Sequence, residues 1–169
     1  MKPPETTTTP SDGESQTIQI AKLMSELENH SGMQRQRARH ALIALGAPAA
    51  NTLRAALASP KVVLRWEAAK AFTEMKDPAS AEALVATLVD QDEDVRWLAA
   101  EALVELGRPA LKPLLAELIK NTRSVWLREG AHHILRELSD DELAPIVTPV
   151  MDALDHREPE LVVPYSAEQ

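Results

Sequence analysis

The sequence predicts an all-α protein: a right-handed α-solenoid of about four short helix pairs behind an N-terminal capping helix. Three observations predict it. First, arginines recur at Arg35, Arg65, Arg96 and Arg128, spaced by 30, 31 and 32 residues. In step with them run Ala38, Ala68, Ala99 and Ala131, then Leu42, Phe72, Leu103 and Leu135, then Leu45, Met75, Leu106 and Leu138. A period of this length is the signature of stacked helix pairs. Second, the apolar share is 44% but aromatics are only 3%. Ala, Leu and Val therefore carry the core, which suits close helix packing better than a sheet of alternating Val, Ile and aromatics. Third, Pro48, Pro78 and Pro109 stand where the first turn of each second helix should fall, and a missing N–H costs little there.

Taken in order, residues 1–16 are rich in Pro, Thr, Ser, Asp and Glu, lack apolar spacing, and read as a disordered tail. In 17–30, Ile20, Leu23, Met24 and Leu27 make one apolar face, and Ser31-Gly32 ends the helix. With no partner before it, this helix reads as a cap. The repeats are expected at about 31–60, 61–91, 92–122 and 123–154. Their first helices are expected at 33–45, 62–75, 95–106 and 125–138. Their second helices are expected at 48–58, 78–89, 109–120 and 141–154. Gly107 supplies a stop, and Ser139 or Asp140 can cap the last helix. Pro149 is expected to kink or shorten that helix. Residues 155–169 read as a C-terminal tail. Within it Leu161-Val162-Val163 is strand-like and expected to fold back as a cover.

The ladder Ala lets neighbouring helices approach, and the Leu, Phe and Met rungs fill the space between layers. The ladder arginine is less obvious, because a cation at a helix start opposes the macrodipole. It is expected to reach outside its helix, to an acid or to carbonyls at the end of the preceding repeat. For Arg96 the neighbouring Asp92, Glu93 and Asp94 are candidate partners.

Net charge is −8, which argues against general nucleic-acid binding. The charge is uneven. Residues 31–70 hold seven Lys/Arg and one acid, whereas residues 71–169 hold nine Lys/Arg and twenty acids. With no cysteine there is neither disulfide nor thiolate metal site. No stretch is apolar enough to span a membrane, and the first residues lack the apolar core of a secretory leader. The cytoplasm is the expected compartment. The five glycines are scattered, with no phosphate-cradling loop and no Gly-x-Ser-x-Gly elbow. His132 and His133 are adjacent, so a helix points them about 100° apart rather than as a ligand pair. No catalytic residue, cofactor or metal is expected.

Candidate partner-binding residues fall in three groups. Trp66 and Trp97 hold the same repeat position and turn about 200° from the core Ala. Each either packs over its own Arg or the next repeat, or anchors a partner, as exposed tryptophans commonly do. Arg35, Arg37 and Arg39 form a basic helix start with His40. They read as a solvated face, as a docking point for an acidic protein partner or, least of the three, as a nucleic-acid contact. The second helices usually line the inner curve of such arrays. Their expected outward residues include Asn51, Arg54, Ala55, Glu82, Val85, Ala86, Lys112, Ala116 and Glu117.

The segment Asp94-Val95-Arg96-Trp97-Leu98-Ala99-Ala100-Glu101-Ala102-Leu103, with Leu106-Gly107, resembles the short HEAT-like repeats of the phycobilisome-lyase type. Leu64-Arg65-Trp66-Glu67-Ala68-Ala69-Lys70-Ala71-Phe72 is a second copy; Arg35–Gly46 and Val125–Leu138 are weaker ones. The resemblance covers about residues 31–154 and implies a repeat domain over 17–154, counting the cap. Proteins with this repeat mostly act as adaptors, scaffolds or docking subunits. It therefore implies a non-catalytic scaffold presenting a helical-repeat surface to a protein partner. The alternative it implies is a bilin lyase or lyase accessory, although no residue marks a bilin site. A deoxyhypusine-hydroxylase-like iron oxygenase is the more distant relative. That family places repeated His-Glu ligands where this chain has Arg65-Trp66-Glu67 and Arg96-Trp97-Leu98, and no His-Glu dipeptide occurs here.

Overall fold

Each expected repeat folds as a long first helix and a shorter second one. The computed structural model describes residues 12–156 together with Val163, Ser166 and Ala167. Its helices are α1 (Asp12–Glu26), α2 (Gly32–Leu45), α3 (Ala47–Ala56), α4 (Val62–Met75), α5 (Ala81–Thr87), α6 (Glu93–Leu106), α7 (Leu111–Asn121), α8 (Val125–Leu138) and α9 (Ala144–Leu154). No strand occurs among the described residues.

The first helices α2, α4, α6 and α8 pack side by side as one layer, and α5 and α7 meet in a second layer behind them. α1 lies against α2 and buries Ile20, with Leu27 buried just past its end, as a cap must. The rungs seen in the sequence are the core. Ala38, Ala68, Ala99 and Ala131 are buried, as are Leu42, Phe72, Leu103 and Leu135. Leu45, Met75, Leu106 and Leu138 pack partly buried against them. Each fully buried Leu contributes roughly 1.5–3 kcal/mol of burial free energy. The pair α4 and α6 makes the most extensive helix contact. Buried Ala68, Ala69 and Ala71 on one helix and Ala99, Ala100 and Ala102 on the other leave no bulk to hold the backbones apart.

Helix ends follow local chemistry. Asp92 Oδ1 accepts the Val95 N–H at 3.1 Å, and Ser124 Oγ accepts that of Leu127 at 3.3 Å, opening α6 and α8. Gly46 and Gly107 end α2 and α6 at φ of 66° and 76°, where a side chain is unfavourable. In the second repeat Lys76 takes the same place at φ 47°, a backbone cost that its ion pair with Glu105 at 2.7 Å accompanies.

Several expected boundaries shift. α1 begins at Asp12, inside the stretch read as a tail, and Thr17 Oγ1 donates back to the Gly13 carbonyl at 2.9 Å. Its added turn carries no apolar side chain, and Gly13, Glu14 and Ser15 are exposed, so apolar spacing could not reveal it. Residues 1–11 of the expected tail lie outside the described residues. Pro78 and Pro109 sit in 3₁₀ turns, Pro78–Ser80 and Arg108–Ala110, and the α-helices begin just after them. α9 begins at Ala144 because Asp140 accepts the N–H groups of Glu142 and Leu143, holding 141–143 as a turn. α9 then continues through Pro149 to Leu154. Pro149 and Pro145 are both exposed, so water can serve the carbonyl that Pro149 leaves unpaired. Val163 is helical and fully buried in the core, not part of a strand; Leu161 and Val162 lie outside the described residues.

Candidate functional site

The ladder arginines share one bond. Each donates through Nη1 to the carbonyl six residues upstream: Arg35 to Asn29, Arg65 to Ser59, Arg96 to Asp90 and Arg128 to Thr122. The guanidinium thus staples the turn that precedes its own helix, where carbonyls left by the preceding helix point. Asp92, Glu93 and Asp94 are not the partners of Arg96; Asp92 is occupied as the α6 cap.

The second partner of the ladder arginine differs along the array. Arg65 holds Asp90 with two bonds of 2.7 and 2.9 Å. Burial alone would push the Asp90 carboxyl up. The Arg65 hydrogen bond, the Asp92 N–H and the charges of Arg65 and Arg96 outweigh it and hold Asp90 below the usual carboxylate range. Arg65 is raised in turn, chiefly by the same hydrogen bond. Arg96 instead lies over the Trp126 ring, 4.5 Å from its centroid, within cation–π range.

At the basic start of α2 two of the three arginines turn inward. Arg35 Nε donates to Glu67 Oε1 at 2.9 Å, and Arg39 Nη1 to Glu67 Oε2. Glu67 and Arg39 are both buried, and Arg39 Nε has no hydrogen-bond partner among the described residues. Arg37 alone of the three is exposed. Arg54 pairs with Asp77 at 2.9 Å and with Asn51, and Lys61 pairs with Glu28. The basic face expected for an acidic partner is thus mostly an internal network. The acids that neutralise it come from outside residues 31–70, except Glu67.

The tryptophans part company. Trp66 is half-buried against the core, with the Arg39 guanidinium 5.8 Å from its ring centroid. Trp97 is 56% exposed on α6, and Trp126 is 43% exposed at the start of α8. The His133 ring lies 5.0 Å from that of Trp97, tilted by 32°, and its Nε2 is 3.0 Å from Glu101 Oε1. Glu101 therefore positions His133, and His133 backs Trp97. Between α6 and α8, Trp97, Trp126 and His133 border an open cleft of about 290 Å³ with Leu88, Ala100 and Gly130 at its base and Glu93, Asp94 and Glu129 around it. It adjoins a hollow of about 550 Å³ that shares Trp97, Glu129 and His133. On the other side it adjoins one of about 290 Å³ along Val62, Val63 and Trp66, which shares Asp94.

Glu82 and Lys112 are exposed on the second layer and line none of these hollows, and Arg54 is half-buried there. Val85, expected outward, is buried. Sequence reading passed over Trp126 because it lies out of register with the other two. Its place beside a ladder arginine was the available signal. His133 was findable, since it falls on the same helical stripe of its repeat as Trp97 does in the one before. Among the described residues no three His, Asp or Glu side chains form a group able to hold a metal ion, and no helix is long and apolar enough to cross a membrane.

Two layers of paired helices, stapled by a recurring arginine and bearing a side-chain-lined cleft between adjacent units, define a helical-repeat scaffold. A family profile described as HEAT repeats matches residues 20–103 and again 82–161, overlapping as a periodic array should. The chain belongs to the HEAT-repeat family. Comparison with curated proteins finds no match.

Proposed function

We propose that this protein is a non-catalytic scaffold or adaptor of the cytoplasm that docks a protein partner on its first-helix layer at Trp97. The observation that carries this reading is Trp97 itself. A large ring more than half exposed, backed by His133 and facing Trp126 across a cleft, is the arrangement of an interface anchor. The surface around it stands on packed helices, so little ordering is lost on docking. The cleft is shallow and opens into its neighbours, which favours a protein segment over an enclosed small molecule.

The test is affinity capture from the native cell extract, read by mass spectrometry, with wild type, Trp97→Ala and the second-layer pair Glu82→Ala/Lys112→Ala. A partner retained by wild type and by the second-layer variant, but lost by Trp97→Ala, supports the reading. Equal capture by Trp97→Ala overturns it. The likeness to phycobilisome-lyase repeats supports the bilin alternative only at the level of motif. Stoichiometric tetrapyrrole absorbance on the purified protein would replace the scaffold reading with that one, and stoichiometric iron would replace it with an oxygenase.

A further inference from the structure

We infer that the cleft between Trp97 and Trp126 receives an arginine or lysine side chain from an extended basic segment of the partner. This rests on the scaffold reading and names the chemistry of its occupant.

The base of the cleft is close-packed at one residue. Gly130 stands at the repeat position that holds buried Glu67 in the second unit and buried Leu98 in the third. A Cβ at Gly130 would lie 3.2 Å from Leu88 Cδ2, so the floor already reaches the neighbouring side chain. Leu88, Ala100 and Gly130 offer the apolar path that the methylene stem of a long basic residue covers. The ring of Trp97 offers a π surface for its head. Trp126 is already in contact with a guanidinium, that of Arg96, which leaves Trp97 for the newcomer.

The rim sets the sign of the charge. Glu93, Asp94 and Glu129 are exposed, and none forms an ion pair among the described residues. The cation among the lining residues, Arg96, is committed to the Asp90 and Gln91 carbonyls and to Trp126. Three free carboxylates around two aromatic rings attract a cation and repel an anion. A basic head placed there gains charge-assisted bonds that no group of this chain provides. The hollows on either side share Asp94 in one direction and Trp97, Glu129 and His133 in the other. That continuity fits a chain running across α4, α6 and α8 with one basic residue seated in the middle.

The experiment uses the full chain and three blocked octapeptides, alternating Ala with Arg, with Lys or with Glu. Binding is read by tryptophan emission and by calorimetry. The Arg and Lys peptides should bind and the Glu peptide should not. Trp97→Ala, and separately the triple Glu93→Gln/Asp94→Asn/Glu129→Gln, should each weaken the Arg peptide about tenfold or more. A remote triple of equal charge, Glu82→Gln/Asp141→Asn/Asp152→Asn, should change it by about twofold or less. Equal loss from both triples would mean diffuse attraction and overturn the site. So would comparable binding of the Glu peptide, or Arg binding indifferent to Trp97. If no peptide binds at about 1 mM while Trp97-dependent capture of a partner persists, the cationic occupant is wrong and the scaffold reading stands. Helical circular dichroism of each variant, and Glu129→Gln alone as a milder substitution, keep loss of binding separate from loss of fold.

Discussion

The start of α2 and the cleft between α6 and α8 invert what their sequences suggest. The α2 segment carries three arginines in five residues, and two of them end on one buried carboxylate, Glu67. The α6–α8 region carries acids that look like ordinary helix surface, and three of them stand unpaired around exposed tryptophans. The difference teaches that charge density along a chain is a poor measure of charge available to a partner. Arg35 and Arg39 stabilise the stack. Glu93, Asp94 and Glu129 face outward, where a partner can meet them.

The sharpest way to break this comparison is to empty the buried side. Glu67→Gln should destabilise the fold by about 3–5 kcal/mol, because it leaves Arg39 buried without a counter-charge. Urea unfolding followed by circular dichroism measures it; a loss below about 1 kcal/mol would put the segment back on the surface. Replacing both members with apolar residues, Glu67→Leu with Arg39→Met, should recover most of the loss.

Next in size is the Arg65–Asp90 pair, whose charge-assisted bonds are worth about 1.5–3 kcal/mol, lost in Asp90→Ala near neutral pH. The sign of its pH dependence follows from the lowered carboxyl. Folded Asp90 binds its proton less readily than the unfolded chain, whose value is 3.8. The pair's contribution is therefore present in full above about pH 5. It is lost as pH falls past the unfolded value and through the lower folded one. Unfolding measured across that range should show a shallower acid limb in Asp90→Ala than in wild type.

On the docking side the costs to stability should be smaller. Trp126→Ala removes the ring under Arg96 and should cost about 0.5–2 kcal/mol, readable as a lowered urea midpoint. Glu129→Gln, at an exposed position without an ion pair, should leave stability within about 0.5 kcal/mol while weakening basic-peptide binding. Should Glu129→Gln destabilise as much as Trp126→Ala, the carboxylate would be structural and the contrast between the two regions would narrow.

Much of the fold was legible in the chain. Alanine, leucine and arginine recurrences placed all four first helices, and three prolines, with the Ser139-Asp140 cap for the last, located the second ones to within a few residues. The second-helix starts were blurred because a proline can open a 3₁₀ turn as readily as an α-helix. The candidate site was legible in part. Trp97 was visible as the residue that stacking leaves unexplained, and the matching position of Trp66 was visible as its copy. That Trp66 packs inward was not, since the sequence treats the two alike. Their neighbours on adjacent helices differ: Arg39 lies over Trp66, and His133 lies against Trp97.

The sequence by itself determined the period, the layer of small residues that brings α4 and α6 together, and the positive-φ stops at Gly46 and Gly107. These follow from spacing within one repeat and from the backbone preferences of single residues. Tertiary structure alone decided which charges cancel and which aromatics meet. Arg35 reaches Glu67 from 32 residues away, and Arg96 meets Trp126 across a helix interface. The offset between stacked repeats sets such pairings, and no spacing along one helix encodes it.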